Sequence, residues 1–293
     1  MRPTTESAGT DQRVPVTLRL LAEKKARGTP IVMVTAYDFP SAQAIEQSDA
    51  VDLVLAGDTG AEMVLGYSST SRVSLDEMLM MTAAVRRGLR TPLLIGDLPS
   101  GTYESSGAQA VNTAFRLVKA GGADVVKLER GGPSIARARA IIEAGIPVMG
   151  HLGPTPQSET ALGGRRTQAR SANQAAELLT DALALQDAGC FALVLEAVPA
   201  PVAQEVTARL KIPTIGIGAG PATDGQVLVW HDLLGLYGWR PRFAKAYTHL
   251  RPAITDALCR YSDDVRAREF PASQHGYSID DDQLQQFLAE LDG

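Results

Sequence analysis

The chain lacks most of the features that mark a specialised class. It has two cysteines in 293 residues, Cys190 and Cys259, far apart and without metal-like spacing. They read as reduced core thiols. No apolar run reaches the ~20 residues needed to span a bilayer. Met1 to Gln12 is polar and lacks the apolar core of a signal peptide. The expected setting is a reducing cytoplasm with no membrane partner. Positive charge is not in excess: 28 basic against 33 acidic side chains give a net charge of −5. Nothing in that balance attracts nucleic acid. No Gly-x-Gly-x-x-Gly follows the first strand candidate, which argues against a dinucleotide-binding sheet. There is no internal repeat beyond the alternation described next, and no low-complexity tract.

What is present is a βα alternation from residue 30 onward. The strand candidates are Ile31–Tyr37, Leu53–Gly57, Leu93–Asp97, Asp124–Glu129, Pro147–His151, Phe191–Glu196, Thr214–Gly218 and Val227–Trp230. Amphipathic stretches separate them, including Ser74–Gly88, Glu104–Ala120, Ser134–Glu143, Ala172–Ala188 and Pro201–Leu210. The strands are near-continuous apolar runs, as parallel strands covered on both faces are. Hydrophobic residues make up 45% of the chain, enough for a large core. The expected fold is α/β, a (β/α)8 TIM barrel over residues 16–270, with a doubly wound open sheet as the alternative. Residues 1–15 read as a flexible arm and 16–28 as a short helix capping the barrel bottom. Residues 244–266 read as helical and 271–293 as a solvated tail.

Active sites of such barrels sit at the C-terminal strand ends. There the sequence places Asp38, Asp58 with Thr59, Asp97, Lys127 with Glu129, His151 and Glu196. Side chains alternate across a strand, so Lys127 and Glu129 share a face. Carboxylates gathered at a barrel mouth repel one another unless a cation joins them. An all-oxygen set, without Cys or clustered His, favours Mg2+ over Zn2+. Asp38 reads better as the cap of the next helix. His151 is balanced between substrate donor and satisfied core histidine. The stretch Gly216–Gly220 reads as a tight barrel turn rather than an anion site.

Several stretches then resemble one family. They are Val34–Asp38, Leu65–Tyr67 with Ser69-Thr70, Gly150–Gly153 with Thr155–Ser158, Leu193–Pro199, and Gly216–Pro221 with Asp224–Val229 and His231-Asp232. Together they are similar to ketopantoate hydroxymethyltransferases of the phosphoenolpyruvate mutase/isocitrate lyase superfamily, over about residues 16–277. The resemblance implies transfer of a one-carbon unit from 5,10-methylenetetrahydrofolate to 3-methyl-2-oxobutanoate with Mg2+, on the route to pantothenate. It implies Asp58 and Asp97 as metal ligands, with Glu129 at or just behind the metal. Thr59 and Lys127 would contact substrate, and Glu196 would be the base that takes the C3 proton. It also implies a homo-oligomer, a decamer in family members.

The chain departs from the family pattern around the expected mouth. Thr59 stands where the family has Ser, and Glu62 adds a carboxylate. Ser100 replaces an aromatic, Arg130 interrupts Glu-Gly-Gly, Pro154 replaces an apolar residue, and Arg165 lies in the altered Gly163–Ala169 loop. These leave two alternatives to ketopantoate formation. One is a paralogue doing the same chemistry on another 2-oxoacid. The other is a non-catalytic protein on the same barrel.

Overall fold

A computed structural model describes residues 14–154, 169–238 and 240–291. The expected arm lies almost wholly outside these residues, as do Thr155–Ser158 and most of the loop holding Arg165. The first helix, α1 (Leu18–Arg27), precedes β1 (Ile31–Thr35), α2 (Phe39–Ser48), β2 (Leu53–Ala56) and a one-turn α3 (Gly60–Met63). Then come α4 (Leu75–Gly88), β3 (Leu93–Asp97), α5 (Gly107–Lys119), β4 (Val125–Lys127), α6 (Pro133–Glu143) and β5 (Val148–Leu152). The barrel ends with α7 (Ala172–Asp187), β6 (Ala192–Glu196), α8 (Ala200–Arg209), β7 (Thr214–Ile217), β8 (Gly225–Leu228) and the short α9 (Trp230–Leu234). The strands close in sequence order, all parallel, with β8 pairing back to β1. This is the (β/α)8 barrel.

Strand phase explains the interior. Ile31, Met33, Leu53, Leu55, Leu93, Ile95, Val125, Met149, Ala192, Val194, Ile215 and Val227 form one buried cluster. They are alternate residues, as inward-facing positions must be. The other phase, including Val126, Val148, Leu193 and Leu195, packs in a cluster with residues of α5, α6, α7 and α8. Helix starts follow local chemistry. Ser74 and Ser171 form capping boxes with Glu77 and Gln174, and Asp38 accepts from the Ser41 amide as the expected cap.

At the bottom, Val16 and Leu21 join the interior cluster, so α1 plugs the barrel as expected. Two ion pairs fix it. Lys24 Nζ reaches both oxygens of the buried Asp52 at 2.7 and 2.6 Å, and Lys25 Nζ lies 2.7 Å from Asp224.

Some boundaries differ from the sequence reading. Strand β8 starts at Gly225 rather than Val227, because a side chain there would lie 2.4 Å from the Ile31 carbonyl and only glycine lets the strand approach β1. Trp230 consequently opens a helix instead of ending a strand. Helix α5 starts at Gly107, because the Ser106 hydroxyl accepts from the Gln109 amide and sets the cap there.

The chain divides into two compact units, the second comprising Leu234–Arg240 and Ala246 onward. It holds α10 (Leu250–Ala267) and α11 (Asp281–Leu291). The segment expected as a plain tail thus carries a helix. Neither helix has a buried residue. No helix among the described residues is long and apolar enough to cross a membrane.

Candidate active site

The site is the next layer of the barrel interior. Adding two residues to each inward-facing position gives Thr35, Gly57, Asp97, Lys127, His151, Glu196, Ile217 and Val229, and all of them line one pocket at the strand ends. Asp58, Thr59 and Glu129 complete its rim, so every residue singled out from the sequence for catalysis, substrate or metal is present there. The pocket has two halves by strand order. Strands β2 to β6 and the residues just after them supply all the charged groups, over Leu55 and Val194, while β7, β8 and β1 with the residue after β8 supply Ile217, Val227, Val229, Met33 and the uncharged Thr35. The sequence reading did not find this apolar half. The same count of two along each strand would have reached Ile217 and Val229.

Lys127 organises the charges. Its Nζ lies 2.9 Å from Asp97 Oδ1 and 3.4 Å from Glu129 Oε1, with all three side chains almost fully buried. Register explains the first contact, because Asp97 and Lys127 are direct neighbours on β3 and β4. Burial opposes the ammonium charge, but Asp97 and Glu129, with Asp58, outweigh it and hold the Lys127 pKa above its ordinary value. Burial likewise pushes the Asp97 carboxyl up, and the ammonium pulls against it. Asp97 Oδ2 accepts from the Asp58 amide at 3.0 Å. Asp97 Oδ1 is buried without an aligned hydrogen bond. The mutual repulsion expected of these carboxylates is thus met in large part by Lys127.

His151 joins the two remaining carboxylates. Nδ1 lies 3.2 Å from Glu129 Oε1, and Nε2 lies 3.2 Å from Glu196 Oε2, the latter without hydrogen-bond alignment. The structure places His151 as a buried ring between two acids, lining the pocket. Burial and Lys127 push its pKa down, but Glu129 and Glu196 bring it up to about 9. A folded pKa above the ordinary value of about 6.5 stabilises the fold fully below pH ~6.5, and the contribution disappears as pH rises through about 9. Metal-free protein is therefore expected to lose about 3 kcal/mol between pH 6 and 10. His151→Gln should flatten that slope, as read from urea midpoints. Identical slopes in the two proteins would refute the assignment.

Glu196 is the most solvent-accessible of these carboxylates, at 23% of its side chain against about 1% for Asp97 and Glu129. Thr59 is held by Tyr37, whose buried hydroxyl lies 2.6 Å from Thr59 Oγ1. The sequence reading did not assign Tyr37 a role; its place two residues past Thr35 was the available signal. Arg130 takes φ +79° just after Glu129, where the family pattern has glycine. Ser100 and Glu104 lie in the turn after β3, where Glu104 accepts from the Gly101 amide. Neither lines the pocket, nor does Glu62.

Among the described residues no three His, Cys, Asp or Glu side chains converge as a metal cluster. Asp97 Oδ1 faces Lys127 Nζ at 2.9 Å and Asp97 Oδ2 accepts from the Asp58 backbone amide, so the fit rests on donor chemistry: the oxygen donors of Asp58 and Asp97 suit a hard divalent cation that also takes oxygens from a ligand and shares Asp97 with Lys127.

The family model described as ketopantoate hydroxymethyltransferase matches residues 15–273. The 3-methyl-2-oxobutanoate hydroxymethyltransferase of Moorella thermoacetica is 52% identical, covering 91% of this chain and 99% of that protein. The mitochondrial 3-methyl-2-oxobutanoate hydroxymethyltransferase 1 of Arabidopsis thaliana is 50% identical, covering 94% of this chain and 82% of that protein. Among solved structures, a 2,3-dimethylmalate lyase of the PEP mutase/isocitrate lyase superfamily aligns with TM-score 0.55 at 15% identity, covering 94% of this chain and 98% of that one. A phosphonopyruvate hydrolase solved with oxalate and Mg2+ aligns with TM-score 0.58 at 12% identity, covering 94% and 96%. These structural likenesses concern the fold.

Proposed function

The chain belongs to the ketopantoate hydroxymethyltransferase family, and from that premise we propose that it moves a one-carbon unit from 5,10-methylenetetrahydrofolate to 3-methyl-2-oxobutanoate. One observation carries the reading. The pocket sets an acid–lysine arc on β2–β6 against an apolar arc on β7, β8 and β1. A small 2-oxoacid has that polarity, with two oxygen-bearing carbons at one end and a branched alkyl group at the other.

Mg2+ would be held by Asp58 and Asp97, with Glu129 behind them across Lys127. When bound, it supplies positive charge that stabilises negative charge on the oxygens of the 2-oxoacid. The protein does the rest. Lys127 and Thr59, the latter fixed by Tyr37, bind substrate oxygens. Glu196 takes the proton from C3. His151 lies beside that carboxyl and balances its charge. C3 then bonds to the one-carbon unit, and one water is consumed as tetrahydrofolate leaves.

The test is turnover of a series of 2-oxoacids with methylenetetrahydrofolate, with and without Mg2+. The fastest turnover is expected on 3-methyl-2-oxobutanoate and only with the metal. A preference for a straight-chain or polar 2-oxoacid would favour the paralogue reading.

A homo-oligomer is part of the proposal. Helix α10 leaves Ile254, Leu258, Tyr261 and Val265 between 43% and 63% exposed, and on the barrel β1 leaves Val32 45% exposed. Apolar residues repeated along one helix are more often covered than wet. Light scattering should give a mass several times the 31.1 kDa chain. A monomer at micromolar concentration would refute this. The setting proposed for this chain is the cytoplasm, whereas the Arabidopsis relative is named mitochondrial.

A further inference from the structure

The backbone around Glu196 is unusually confined, and the confinement comes from a glycine on the neighbouring strand end. Gly153 follows directly after β5 and takes φ +117°, a region that L side chains rarely adopt. A Cβ placed there would lie 2.0 Å from the Glu196 carbonyl oxygen, 3.0 Å from its carbon and 3.3 Å from its nitrogen. Glu196 has little room to withdraw. Leu152 and Leu195 are register partners just before the contact, and Glu196 is in register with Ile217 on the other side. The next amide, of Ala197, donates to the Ile217 carbonyl at 2.8 Å. Ala197 itself takes φ +44°, a left-handed conformation with a Cβ in place. The peptide that carries the Glu196 side chain is therefore held between β7 and a glycine contact that tolerates no side chain.

We propose that Gly153 is a positioning residue for Glu196: its missing side chain lets the end of β5 close onto the Glu196 carbonyl and fixes where the base carboxylate points. The inference rests on Glu196 being the base. Real Cβ contacts stay beyond about 3.0 Å, so an alanine at 153 forces a displacement of about 1 Å. Misplacement of a reacting group by that distance costs on the order of a hundredfold in rate. Substrate contacts made by Lys127 and Thr59 lie on other strands and would be undisturbed.

The experiment compares wild type, Gly153→Ala and Glu196→Gln in full-length, Mg2+-loaded protein. It reads kcat, the KM for 3-methyl-2-oxobutanoate, and the kinetic isotope effect with substrate deuterated at C3. Gly153→Ala should lose about a hundredfold in kcat with KM within threefold, and its isotope effect should rise because proton removal has become slower. A purely structural role lowers the number of folded molecules but leaves the isotope effect where it was. That result overturns the proposal, as does unchanged kcat. If Gly153→Ala yields no folded protein, Ala197→Val strains the same peptide from its other side and should show the same pattern. Failure of both variants to fold assigns the contact to stability and overturns the positioning role. Glu196→Gln separates the two readings. If it is inactive while Gly153→Ala is normal, the base stands and positioning falls. If it still exchanges the C3 proton, the base reading falls and takes this proposal with it.

Discussion

Glu196→Gln is expected to lose between about 10²- and 10⁴-fold in turnover while folding normally. The amide keeps the volume of the side chain and removes its basicity. Glu196 is the carboxylate best placed for this role, because Asp97 and Glu129 are almost wholly buried against Lys127 while Glu196 keeps 23% of its side chain accessible. Its buried neighbour His151 would lose one of the acids that raise its pKa, so part of the stability that group contributes below about pH 9 should be lost, while stability above pH 9 should change little. The direct measurement is exchange of the C3 proton of 3-methyl-2-oxobutanoate in deuterated water with Mg2+, followed by NMR. Exchange at the wild-type rate would move the base elsewhere. Loss of exchange together with loss of metal binding would show that the variant damaged the site as a whole.

Lys127→Met should be the most destabilising single change at the pocket, by about 3–5 kcal/mol at neutral pH. Methionine fills similar space, so the cost comes from charge rather than a cavity. Removing the ammonium leaves Asp97 and Glu129 buried without the group that lies 2.9 and 3.4 Å from them. Two consequences set this apart from an ordinary core defect. The deficit should shrink as pH falls, because protonating the carboxylates removes their repulsion. Mg2+ should also raise the melting temperature of the variant more than that of wild type, because the cation takes over part of the missing positive charge. A deficit independent of both pH and Mg2+ would mean that Lys127 acts mainly by packing.

Much of this was legible in the sequence for a definite reason. A strand has period two, and an inward-facing apolar run that ends in a polar residue reveals where the barrel interior becomes its mouth. That rule alone reached Asp97, Lys127, Glu129, His151 and Glu196; Asp38 was set apart by helix-cap chemistry instead, and its carboxylate does cap α2. The rule reads one strand at a time, however. Applied to the apolar ends of β7 and β8 it would have found Ile217 and Val229, but without a polar residue nothing drew it there.

The sequence by itself determined the barrel, the order of its strands and the set of charged groups at its mouth, because these follow from local periodicity and from residue type. Only the tertiary structure decided how those groups meet. Lys127 joins Asp97 rather than leaving all the carboxylates to a cation, His151 stands between Glu129 and Glu196, and Gly153 presses on the Glu196 backbone. Such contacts depend on the register between neighbouring strands, which closure of the whole barrel sets and no single segment encodes.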